Sequence, residues 1–465
     1  MSDSSFSSLA LPEALLSNLA SLGYHEMSPV QAQSLPPMLA GRDVLAQAKT
    51  GSGKTAAFGL ALLAELKVES FAVQGLVLCP TRELADQVAE ELRRLARGMA
   101  NVKILTLCGG APFGPQLGSL EHGAHIVVGT PGRIDEHLRK GSLALDSLSI
   151  LVLDEADRML DMGFQATIDD IIAETPADRQ TLLFSATFPD EQSSGGLTAM
   201  TRGVMRDPVT VKIAEVHDAS TIRQHFYIVD SDEARFAALR QLLLVYQPTT
   251  SVVFCNTKRE TQAVAEQLVD AGFSAVALNG DLEQKDRDRI LILFANQSAS
   301  ILVATDVAAR GLDIAQLDAV FNYQIARELD VHVHRVGRTG RAGASGVACT
   351  LVTPKESYRL EKLEELLQQP LTTEPLPKPQ QSTPFEPPMA TLQLAGGKKD
   401  KLRPGDILGA LTSEGGLRGD QVGKIKVLAR SAYVAVSRDV IQQAQAKLER
   451  DKLKGRAFRV RRIRY

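Results

Sequence analysis

Short apolar runs alternate with amphipathic helical segments through the first two hundred residues of the chain. The runs are continuous rather than alternating, which is typical of strands buried on both faces of a parallel sheet. Between two of them, apolar residues from Leu84 to Leu95 recur at helical spacing. The predicted strands are Val44–Ala46, Leu76–Cys79, Ile126–Val128, Ile150–Leu153 and Thr181–Phe184. This order predicts an α/β lobe built on an open parallel sheet.

A second stretch repeats the pattern of the first. Its predicted strands are Val252–Phe254, Val276–Leu278, Ile301–Ala304 and Ala319–Tyr323. Periodicity is weaker between Arg206 and Ser220, so we expect that region to join the lobes. The prediction is one lobe over residues 1–207 and another over 208–368, with ligands favoured in the cleft between them.

Seven prolines between Gln369 and Pro388 predict a semi-extended linker over 369–388 that does not pack as an element. Residues 389–465 then follow the order strand, helix, strand, strand, helix, strand, which is the ferredoxin-like split βαβ pattern. The predicted elements are Ala390–Leu394, Pro404–Leu411, Gly423–Leu428, Ala432–Val436, Val440–Glu449 and Ala457–Ile463. The expected fold is therefore α/β, with two parallel-sheet lobes followed by a small α+β domain.

Composition places the chain among ordinary globular proteins. Of its 465 residues, 44% are hydrophobic and 23% are charged. No apolar run approaches the ~20 residues of a membrane span. The first basic residue is Arg42, which argues against a secretory signal. The four cysteines are far apart without metal-ligand spacing, so we expect reduced core thiols in a cytoplasmic protein.

Charge is distributed unevenly along the chain. The net charge is only −3, but residues 389–465 contain 18 Lys and Arg against 7 Asp and Glu. An acidic body with a basic C-terminal domain indicates that this domain binds a polyanion.

The segment Ala48–Thr55 has the composition of a phosphate-binding loop between a strand and a helix. Gly51 and Gly53 would let backbone N–H groups surround phosphate oxygens. Lys54 would supply a positive charge to the β- and γ-phosphates, and Thr55 could bind Mg²⁺. The helix that follows adds its dipole.

A second acidic motif supports nucleotide chemistry. Leu151–Leu153 leads directly into Asp154, Glu155, Ala156 and Asp157. At the carboxyl end of a buried strand, Asp154 would hold Mg²⁺ and Glu155 would orient the attacking water.

Taken together, residues 6–365 resemble a DEAD-box RNA helicase with two RecA-like lobes. Beyond the phosphate loop and the acidic motif, the family's motifs occur in order: Pro80–Ala85, Gly109–Gly110, Thr130–Arg133, Ser185–Thr187, Val253–Thr257, Gln284 with Arg287, Ala304–Asp313 and His334–Arg341.

The resemblance implies a set of ATP contacts. Gln31 would pair with adenine, Tyr24 would stack on the base, and Phe6 would support that ring. The ATP-binding residues are expected to be Phe6, Tyr24, Gln31, Thr50, Gly51, Ser52, Gly53, Lys54, Thr55 and Asp313. Arg338 and Arg341 resemble arginine fingers, and His334 would help arrange the water. With Lys54, Asp154 and Glu155, these three residues form the expected catalytic set.

The resemblance also implies RNA binding across both lobes, which favours their closure and links RNA to ATP hydrolysis. The expected backbone contacts, which position RNA without reading its sequence, are Thr81, Arg82, Gly110, Thr130, Arg133, Thr305 and Arg310. Ser185 and Thr187 would couple the two sites. The implied activity is local strand separation, and we expect the protein to act as a monomer.

Residues 389–465 resemble the RNA-recognition-type domain of bacterial helicases in this family. That resemblance implies binding to the peptidyl-transferase hairpin of 23S ribosomal RNA and a role in large-subunit assembly. Tyr433 is the single aromatic residue in Leu428–Val436, where such domains usually carry several. We therefore expect stacking on bases to contribute little to RNA binding. The expected RNA-binding residues are Lys398, Lys401, Arg403, Lys424, Lys426, Arg430, Tyr433, Arg459 and Arg461.

Three alternatives remain open. An RNA-dependent clamp would use ATP only to close, whereas a DNA helicase would respond equally to DNA and RNA. A metabolic kinase with a phosphate-binding loop would leave the second lobe and the basic domain unexplained.

Overall fold

The structure is a computed structural model that describes residues 4–47, 51–186, 196–213, 222–309, 317–340 and 346–463. The chain divides into two compact units: the first holds the described residues up to 213, and the second holds those from 222 onward. Among the described residues, no helix has both the length and the apolar character that a bilayer crossing requires. All four cysteines are buried and unpaired.

The first unit is a parallel sheet covered by helices. Its strands are β1 (Val44–Gln47), β2 (Gly75–Leu78), β3 (Ile104–Leu107), β4 (Ile126–Gly129), β5 (Ile150–Asp154), β6 (Gln180–Ser185) and β7 (Val209–Lys212). Its helices are α1 (Glu13–Ser21), α2 (Pro29–Leu39), α3 (Lys54–Ala64), α4 (Arg82–Leu95), α5 (Phe113–Leu120), α6 (Pro131–Arg139), α7 (Ala156–Asp161), α8 (Gln165–Ala173) and α9 (Gly196–Val204).

Within the described residues, the strand order of this sheet is β3-β4-β2-β5-β6-β1-β7, and all pairs are parallel. Apolar residues of α1–α4, such as Leu15, Leu60 and Leu92, pack on one face. Residues of α6–α8, such as Ile134 and Ile168, pack on the other. Because both faces are covered, the central strands are the continuous apolar runs that the sequence shows.

Two strands of this sheet were not predicted. The segment Arg206–Ser220 was expected only to join the lobes, but Val209–Lys212 forms edge strand β7 and pairs with β1. Its side chains alternate between covered and exposed, so it lacks a continuous apolar run. The other missed strand is β3, also at an edge. Residues 214–220 lie outside the described part of the chain.

The second unit begins with another parallel sheet. Its strands are β8 (Ile222–Ile228), β9 (Ser251–Phe254), β10 (Ala275–Leu278), β11 (Ile301–Ala304), β12 (Ala319–Asn322), β13 (Gly346–Val352) and β14 (Thr373–Glu374). Its helices are α10 (Arg235–Tyr246), α11 (Lys258–Asp270), α12 (Gln284–Ala295), α13 (Asp306–Ala309), α14 (Leu329–Val336) and α15 (Ser357–Leu367). The order is β10-β11-β9-β12-β13-β8-β14 within the described residues.

The two lobes use the same local device to start a helix at the end of a strand. Thr81 follows β2 and accepts a hydrogen bond from Leu84 N at 3.3 Å. Thr257 follows β9 and accepts one from Glu260 N at 3.2 Å. A threonine in this position satisfies a backbone donor that the helix itself cannot pair. The matching caps support the internal repeat that the sequence pattern predicted.

The C-terminal domain has the predicted order of elements. Its strands are β15 (Met389–Leu394), β16 (Val422–Val427), β17 (Ala432–Ser437) and β18 (Val460–Ile463), and its helices are α16 (Pro404–Thr412) and α17 (Ile441–Arg450). The antiparallel order is β16-β17-β15-β18. Alternate residues such as Leu392 and Val434 face the core with both helices, while Gln393 and Tyr433 lie on the opposite face.

The proline-rich linker packs against the second lobe, so the expectation that it does not pack was wrong. Thr373–Glu374 adds a short strand to β8. Gln241 Nε2 donates to Pro377 O at 2.8 Å. The ring of Phe385 meets Phe273 edge-on, with centroids 5.7 Å apart. Prolines keep this segment extended, but the surface of the second lobe gives its few apolar side chains a place to bury.

The C-terminal domain also contacts the second lobe through a buried polar cluster. Thr391 Oγ1 accepts a hydrogen bond from Asn296 Nδ2 at 3.1 Å and shares one with Ser298 Oγ at 2.7 Å. All three side chains are buried. Thr391 lies on the open face of the small sheet, so part of that face is covered by the lobe.

Candidate active site and nucleic-acid interface

The candidate residues of the first lobe lie along one edge of its sheet. The carboxyl ends of parallel strands meet at the same edge. The phosphate-binding loop follows β1, Asp154 and Glu155 end β5, and Ser185 ends β6, and these three strands are neighbours. The predicted RNA residues follow β2, β3 and β4, which form the adjacent half of the sheet. We call the part of this edge at β5, β6 and β1 the nucleotide half, and the part at β2, β3 and β4 the nucleic-acid half.

The phosphate-binding loop has the backbone that its glycines permit. Gly51 has φ +85° and Gly53 has φ +93°, both in the left-handed region. Gly53 also caps α3, so Lys54 is the first residue of that helix. Ser52 and Thr55 are partly exposed beside it. Residues 48–50, including the predicted contact Thr50, lie outside the described residues.

A buried charge cluster lies at the centre of the nucleotide half. Lys54 Nζ is 2.6 Å from Asp154 Oδ1 and 3.7 Å from Glu155 Oε1, and all three side chains are at most 4% exposed. Burial alone would lower the pKa of Lys54, but the two carboxylates outweigh it and raise that pKa. Lys54 is therefore a fixed positive charge in this site.

Asp154 also fits the role of a cation ligand. Its side chain is fully buried, and its Oδ2 has no hydrogen-bond partner among the described residues. A buried carboxylate oxygen without a donor is costly unless a cation or ligand completes it. The adjacent hydroxyl of Thr55 is a hard oxygen donor of the kind Mg²⁺ prefers.

Glu155 is held in an unusual conformation. Its φ of +55° and ψ of +51° are left-handed, which is uncommon for a residue other than glycine. Arg158 Nη1 donates to Glu155 Oε2 at 2.5 Å. The sequence reading did not single out Arg158, although its position three residues after Glu155 on one helix turn could have suggested the pair.

The acidic motif is linked to the end of β6. Asp157 Oδ2 accepts a hydrogen bond from Ala186 N at 3.0 Å, and Gln47 Nε2 donates to Ala186 O at 3.2 Å. Ser185 is buried, and its hydroxyl has no partner among the described residues. Strand β6 is thus tied to both neighbours at the point where coupling was predicted. Thr187 lies outside the described residues.

Gln31 is placed beside the phosphate-binding loop. Its Oε1 accepts from Ser28 N at 2.8 Å, and its Nε2 donates to Gly53 O at 3.0 Å. Ser28 Oγ donates to Ser52 O at 2.8 Å. The amide that was predicted to pair with adenine is therefore used inside the protein here, where it joins α2 to the loop.

Phe6 and Tyr24 are in contact, as the stacking prediction requires. Their ring centroids are 6.3 Å apart at an interplanar angle of 84°. The Tyr24 hydroxyl donates to Glu91 Oε1 at 2.9 Å and accepts from Arg94 Nη2 at 2.6 Å. These contacts fix the Tyr24 ring against α4.

The nucleic-acid half brings four predicted residues together. Thr81 caps α4, and Gly110 has φ +75° in the loop after β3. Thr130 Oγ1 accepts from Gly109 N at 3.3 Å, and Arg133 Nη1 donates to Ala111 O at 3.0 Å. The loop after β3 and the start of α6 are thus joined directly. Arg82 lies beside them and is partly exposed.

In the second lobe, Thr305 follows β11 and caps α13 through a hydrogen bond from Ala308 N at 3.3 Å. His334 is exposed on α14, and Arg338 is 7% exposed just beyond that helix. Arg310, Asp313 and Arg341, also predicted here, lie outside the described residues.

A buried arginine organises this part of the second lobe. Arg335 is 1% exposed and makes a two-pronged ion pair with Asp306 at 2.6 and 2.7 Å. It also donates to Asn256 Oδ1 and Gln324 O, both at 2.9 Å. It therefore connects three of the predicted motifs, although no specific role was assigned to it from the sequence.

In the C-terminal domain, all eight predicted cationic contacts are exposed: Lys398, Lys401, Arg403, Lys424, Lys426, Arg430, Arg459 and Arg461. Lys398 N donates to Leu428 O at 2.8 Å, so the loops carrying Lys398 and Arg430 lie against each other. Gly397 permits this approach, because an added Cβ would meet the backbone of that hairpin. Tyr433 is only 8% exposed, and its hydroxyl accepts from Gln393 Nε2 at 3.0 Å. Its ring therefore offers a base very little stacking surface.

Comparisons with known proteins agree with this geometry. Residues 28–194 match the DEAD/DEAH box helicase family, 234–343 match the helicase conserved C-terminal domain, and 391–462 match the DbpA RNA binding domain. The ATP-dependent RNA helicase DbpA of Escherichia coli is 53% identical, covering 98% of this chain and 99% of that protein. The ATP-dependent RNA helicase CshA of Limosilactobacillus reuteri is 44% identical over 78% of this chain and 71% of its own length.

A solved structure of S. cerevisiae Dbp5 bound to RNA and ADP BeF3 is similar as well. It is 28% identical, with a TM-score of 0.71, and the match covers 80% of this chain and 96% of that one. The chain belongs to the DEAD-box family of ATP-dependent RNA helicases, and its two lobes are RecA-like. Within that family it is a homologue of DbpA with the same C-terminal RNA-binding domain.

Proposed function

We propose that this helicase hydrolyses ATP with Mg²⁺ at the nucleotide half of the first lobe and remodels 23S ribosomal RNA during large-subunit assembly. The observation that carries the catalytic part is the buried cluster of Lys54, Asp154 and Glu155 beside a glycine-shaped phosphate loop. The observation that carries the RNA part is the exposed basic surface of the C-terminal domain.

The residues of the cluster have distinct roles in this proposal. Lys54 moves from Asp154 to the β- and γ-phosphates when ATP enters, because phosphate offers more negative charge than one carboxylate. Asp154 and Thr55 would hold Mg²⁺, which would supply positive charge to the phosphate oxygens. Glu155 orients the attacking water and accepts its proton. Arg338, Arg341 and His334 complete the charge stabilisation from the second lobe.

Base selection falls to the residues around α2. Gln31 pairs with adenine once its amide leaves Ser28, and Tyr24 supplies a flat surface held by Phe6, Glu91 and Arg94. Asp313 binds the ribose. The hydrogen bond from Gln31 to Gly53 then couples binding of the base to the conformation of the phosphate-binding loop.

Coupling between RNA and ATP follows from the shared edge of the first sheet. RNA phosphates bind beside Thr81, Gly110, Thr130 and Arg133, which follow strands one to three places from β5, the strand that leads to Glu155. The bonds from Asp157 and Gln47 to Ala186 make β6 rigid with its neighbours. Linkage requires that if RNA favours the ATP-bound state, then ATP favours the RNA-bound state to the same degree.

The RNA target is proposed from the C-terminal domain. Its cations lie on loops and on the outer strands β16 and β18 rather than around an aromatic platform, and Tyr433 is nearly buried. This favours a surface that reads the shape of a folded RNA element over one that stacks single-stranded bases. The peptidyl-transferase hairpin of 23S ribosomal RNA is such an element, and the enzyme acts on it as a cytoplasmic monomer.

The test compares ATPase rates with three activators. These are a 23S fragment containing the peptidyl-transferase hairpin, an unrelated RNA of equal length, and a DNA of matched sequence. We expect strong stimulation by the ribosomal fragment alone. Equal stimulation by both RNAs would contradict the ribosomal target, and equal stimulation by DNA would contradict RNA selectivity.

Two variants sharpen this test. Glu155→Gln should abolish phosphate release but keep RNA binding, because it removes the proton acceptor and leaves the proposed RNA contacts in place. Charge reversal at both Lys424 and Lys426 should weaken binding to the ribosomal fragment. ATP-dependent RNA binding by the unmodified protein with neither phosphate release nor duplex separation would favour an ATP-gated clamp over a turnover enzyme.

A further inference from the structure

Phe113 occupies a distinctive position in the nucleic-acid half of the first lobe. It begins α5, directly after the Gly109–Pro112 loop. Its ring stacks on the ring of His137 with centroids 4.2 Å apart and an interplanar angle of 16°. Lys140 Nζ lies 4.1 Å from the ring centroid, and the guanidinium of Arg133 lies 5.7 Å from it. Arg133 and His137 lie on α6, and Lys140 is its C-cap residue.

The spacing of these partners explains why one ring can meet them all. Arg133, His137 and Lys140 are separated by four and three residues, so they line one face of α6. Two of them are cations, and an aromatic face attracts cations. The Phe113 ring therefore fits this face of α6 better than an aliphatic side chain of similar size would.

Arg133 adds a second connection between the loop and α6. Its Nη1 donates to Ala111 O at 3.0 Å, and its Nε pairs with Glu136 Oε2 at 3.0 Å. The side chain is only 11% exposed. One of its five N–H donors therefore holds the glycine loop, and its Nε is taken by Glu136 on the same helix.

A buried layer beneath the ring supports this arrangement. His137 is fully buried, with Nδ1 2.8 Å from Ser142 Oγ and Nε2 3.3 Å from Gln116 Oε1. Gln116 Nε2 donates to Cys108 O at 3.0 Å, at the end of β3. Burial lowers the pKa of His137, which keeps the ring neutral and suited to stacking. The stack on Phe113 therefore rests on a rigid base.

We propose that Phe113 is a positioning residue for RNA binding, which fastens the Gly109–Gly110 loop to the start of α6 before RNA arrives. Its ring keeps the backbone of Gly110 and the hydroxyl of Thr130 in one fixed surface. Glycine loops lose much conformational freedom on binding, so a loop that is already ordered binds more tightly. This inference rests on the proposed function, in which Gly110 and Thr130 contact the RNA backbone.

The test measures RNA-stimulated ATP hydrolysis by full-length Phe113→Ala protein with the 23S fragment. We expect the RNA concentration for half-maximal stimulation to rise about tenfold, with kcat at saturating RNA and KM for ATP within about twofold of the unmodified enzyme. The salt dependence of RNA binding should keep its slope, because no phosphate contact is removed. Phe113→Tyr should restore the original RNA dependence, since it keeps the flat ring.

The chain offers a matched control. Phe71 also contacts a histidine of the first lobe: its ring is tilted against that of His125, with centroids 4.6 Å apart at 45°. It precedes the amino end of β2, whereas the predicted RNA residues follow the carboxyl ends of the strands. Phe71→Ala should leave the RNA dependence unchanged. If Phe113→Ala does not fold, Phe113→Leu keeps the apolar bulk without the ring and should still raise the required RNA concentration.

Three results would overturn the proposal: an unchanged RNA dependence in Phe113→Ala, a fall in kcat alone, or a smaller salt slope, which would indicate a lost phosphate contact. These are distinct from failure of the proposed function, in which the unmodified protein itself would show no stimulation by RNA.

Discussion

Replacing Thr391 with valine should loosen the C-terminal domain from the second lobe without disturbing either fold. Thr391 Oγ1 bonds to both Asn296 Nδ2 and Ser298 Oγ at the contact between them. Valine keeps the branched shape of threonine, so packing is retained and the hydroxyl alone is lost. Asn296 and Ser298 then lose a buried partner.

The size of the effect follows from burial. Thr391 is 0% exposed, Asn296 is 4% and Ser298 is 5%. A buried polar group left without a partner costs ~1–3 kcal/mol. Two such groups give an upper range of ~6 kcal/mol, and slight access to water at both favours the lower end, ~2 kcal/mol. Since 1.4 kcal/mol is a factor of ten, the undocked population should rise about 30-fold.

Hydrogen–deuterium exchange at the start of β15 measures this opening. Met389 N faces Gln297 O across the same contact, at 3.4 Å, so its exchange reports undocking. We expect exchange about 30-fold faster in Thr391→Val. The double variant with Ser298→Ala should lose less than the sum of the single variants, because removing both partners leaves fewer unpaired groups.

Thr412→Val is the matched control, since Thr412 is exposed on α16 and its hydroxyl bonds only within that helix among the described contacts. It should exchange at the original rate. If Thr391→Val changed exchange at Met389 by less than about threefold, the polar cluster would not be what holds the domain in place.

Three further outcomes are expected. His332 is 1% exposed and burial lowers its pKa to about 4, so stability is complete above about pH 6.5 and falls as the pH drops from there to about 4. Urea unfolding at pH 7 and pH 4.5 measures this loss of stability. His332→Phe should make the difference in the free energy of unfolding between the two pH values smaller by ~2–3 kcal/mol. An unchanged difference would contradict this. Arg335→Lys should lower the free energy of unfolding by ~3–5 kcal/mol, because lysine cannot pair twice with Asp306, whereas a loss below ~1 kcal/mol would show that the pair is dispensable. Replacing Lys398 and Arg430 together with alanine should reduce the slope of log K against log salt for RNA binding by roughly 1.5–2, and an unchanged slope would mean that neither touches phosphate.

The sequence predicted most of the elements whose signals are local, although the fully buried strand β13 was missed. Buried strands such as β5 and β9 are unbroken apolar runs. Helices such as α4 show both apolar residues at helical spacing and an N-cap residue. Strands β3 and β7 lie at edges, where partial exposure interrupts the run. Two-residue strand β14 exists only because β8 is beside it. The packing of Phe385 on Phe273 likewise depends on a surface formed by distant residues, which no local pattern encodes.

For the candidate site, the motifs identified which residues matter but not what each one touches. The proximity of Lys54, Asp154 and Glu155 follows from their places after β1 and at the end of β5, which lie on either side of β6. The use of the Gln31 amide by Ser28 and Gly53 does not follow, because it depends on how α2 packs on the loop. Tyr433 was correctly placed on a strand, but its burial depends on what covers the open face of the small sheet.

The burial of all four cysteines has a practical consequence for following this enzyme at work. Burial raises the pKa of Cys108 and of Cys349 to about 12, and also raises the pKa of Cys79 and Cys255. At neutral pH these thiols are therefore protonated and shielded, so maleimide dyes should react with them slowly. A cysteine introduced on an exposed position of each lobe would then carry a fluorophore selectively, with the natural cysteines left in place. Distance changes between the lobes during a cycle of ATP and RNA binding could be recorded from single molecules of the otherwise unmodified chain.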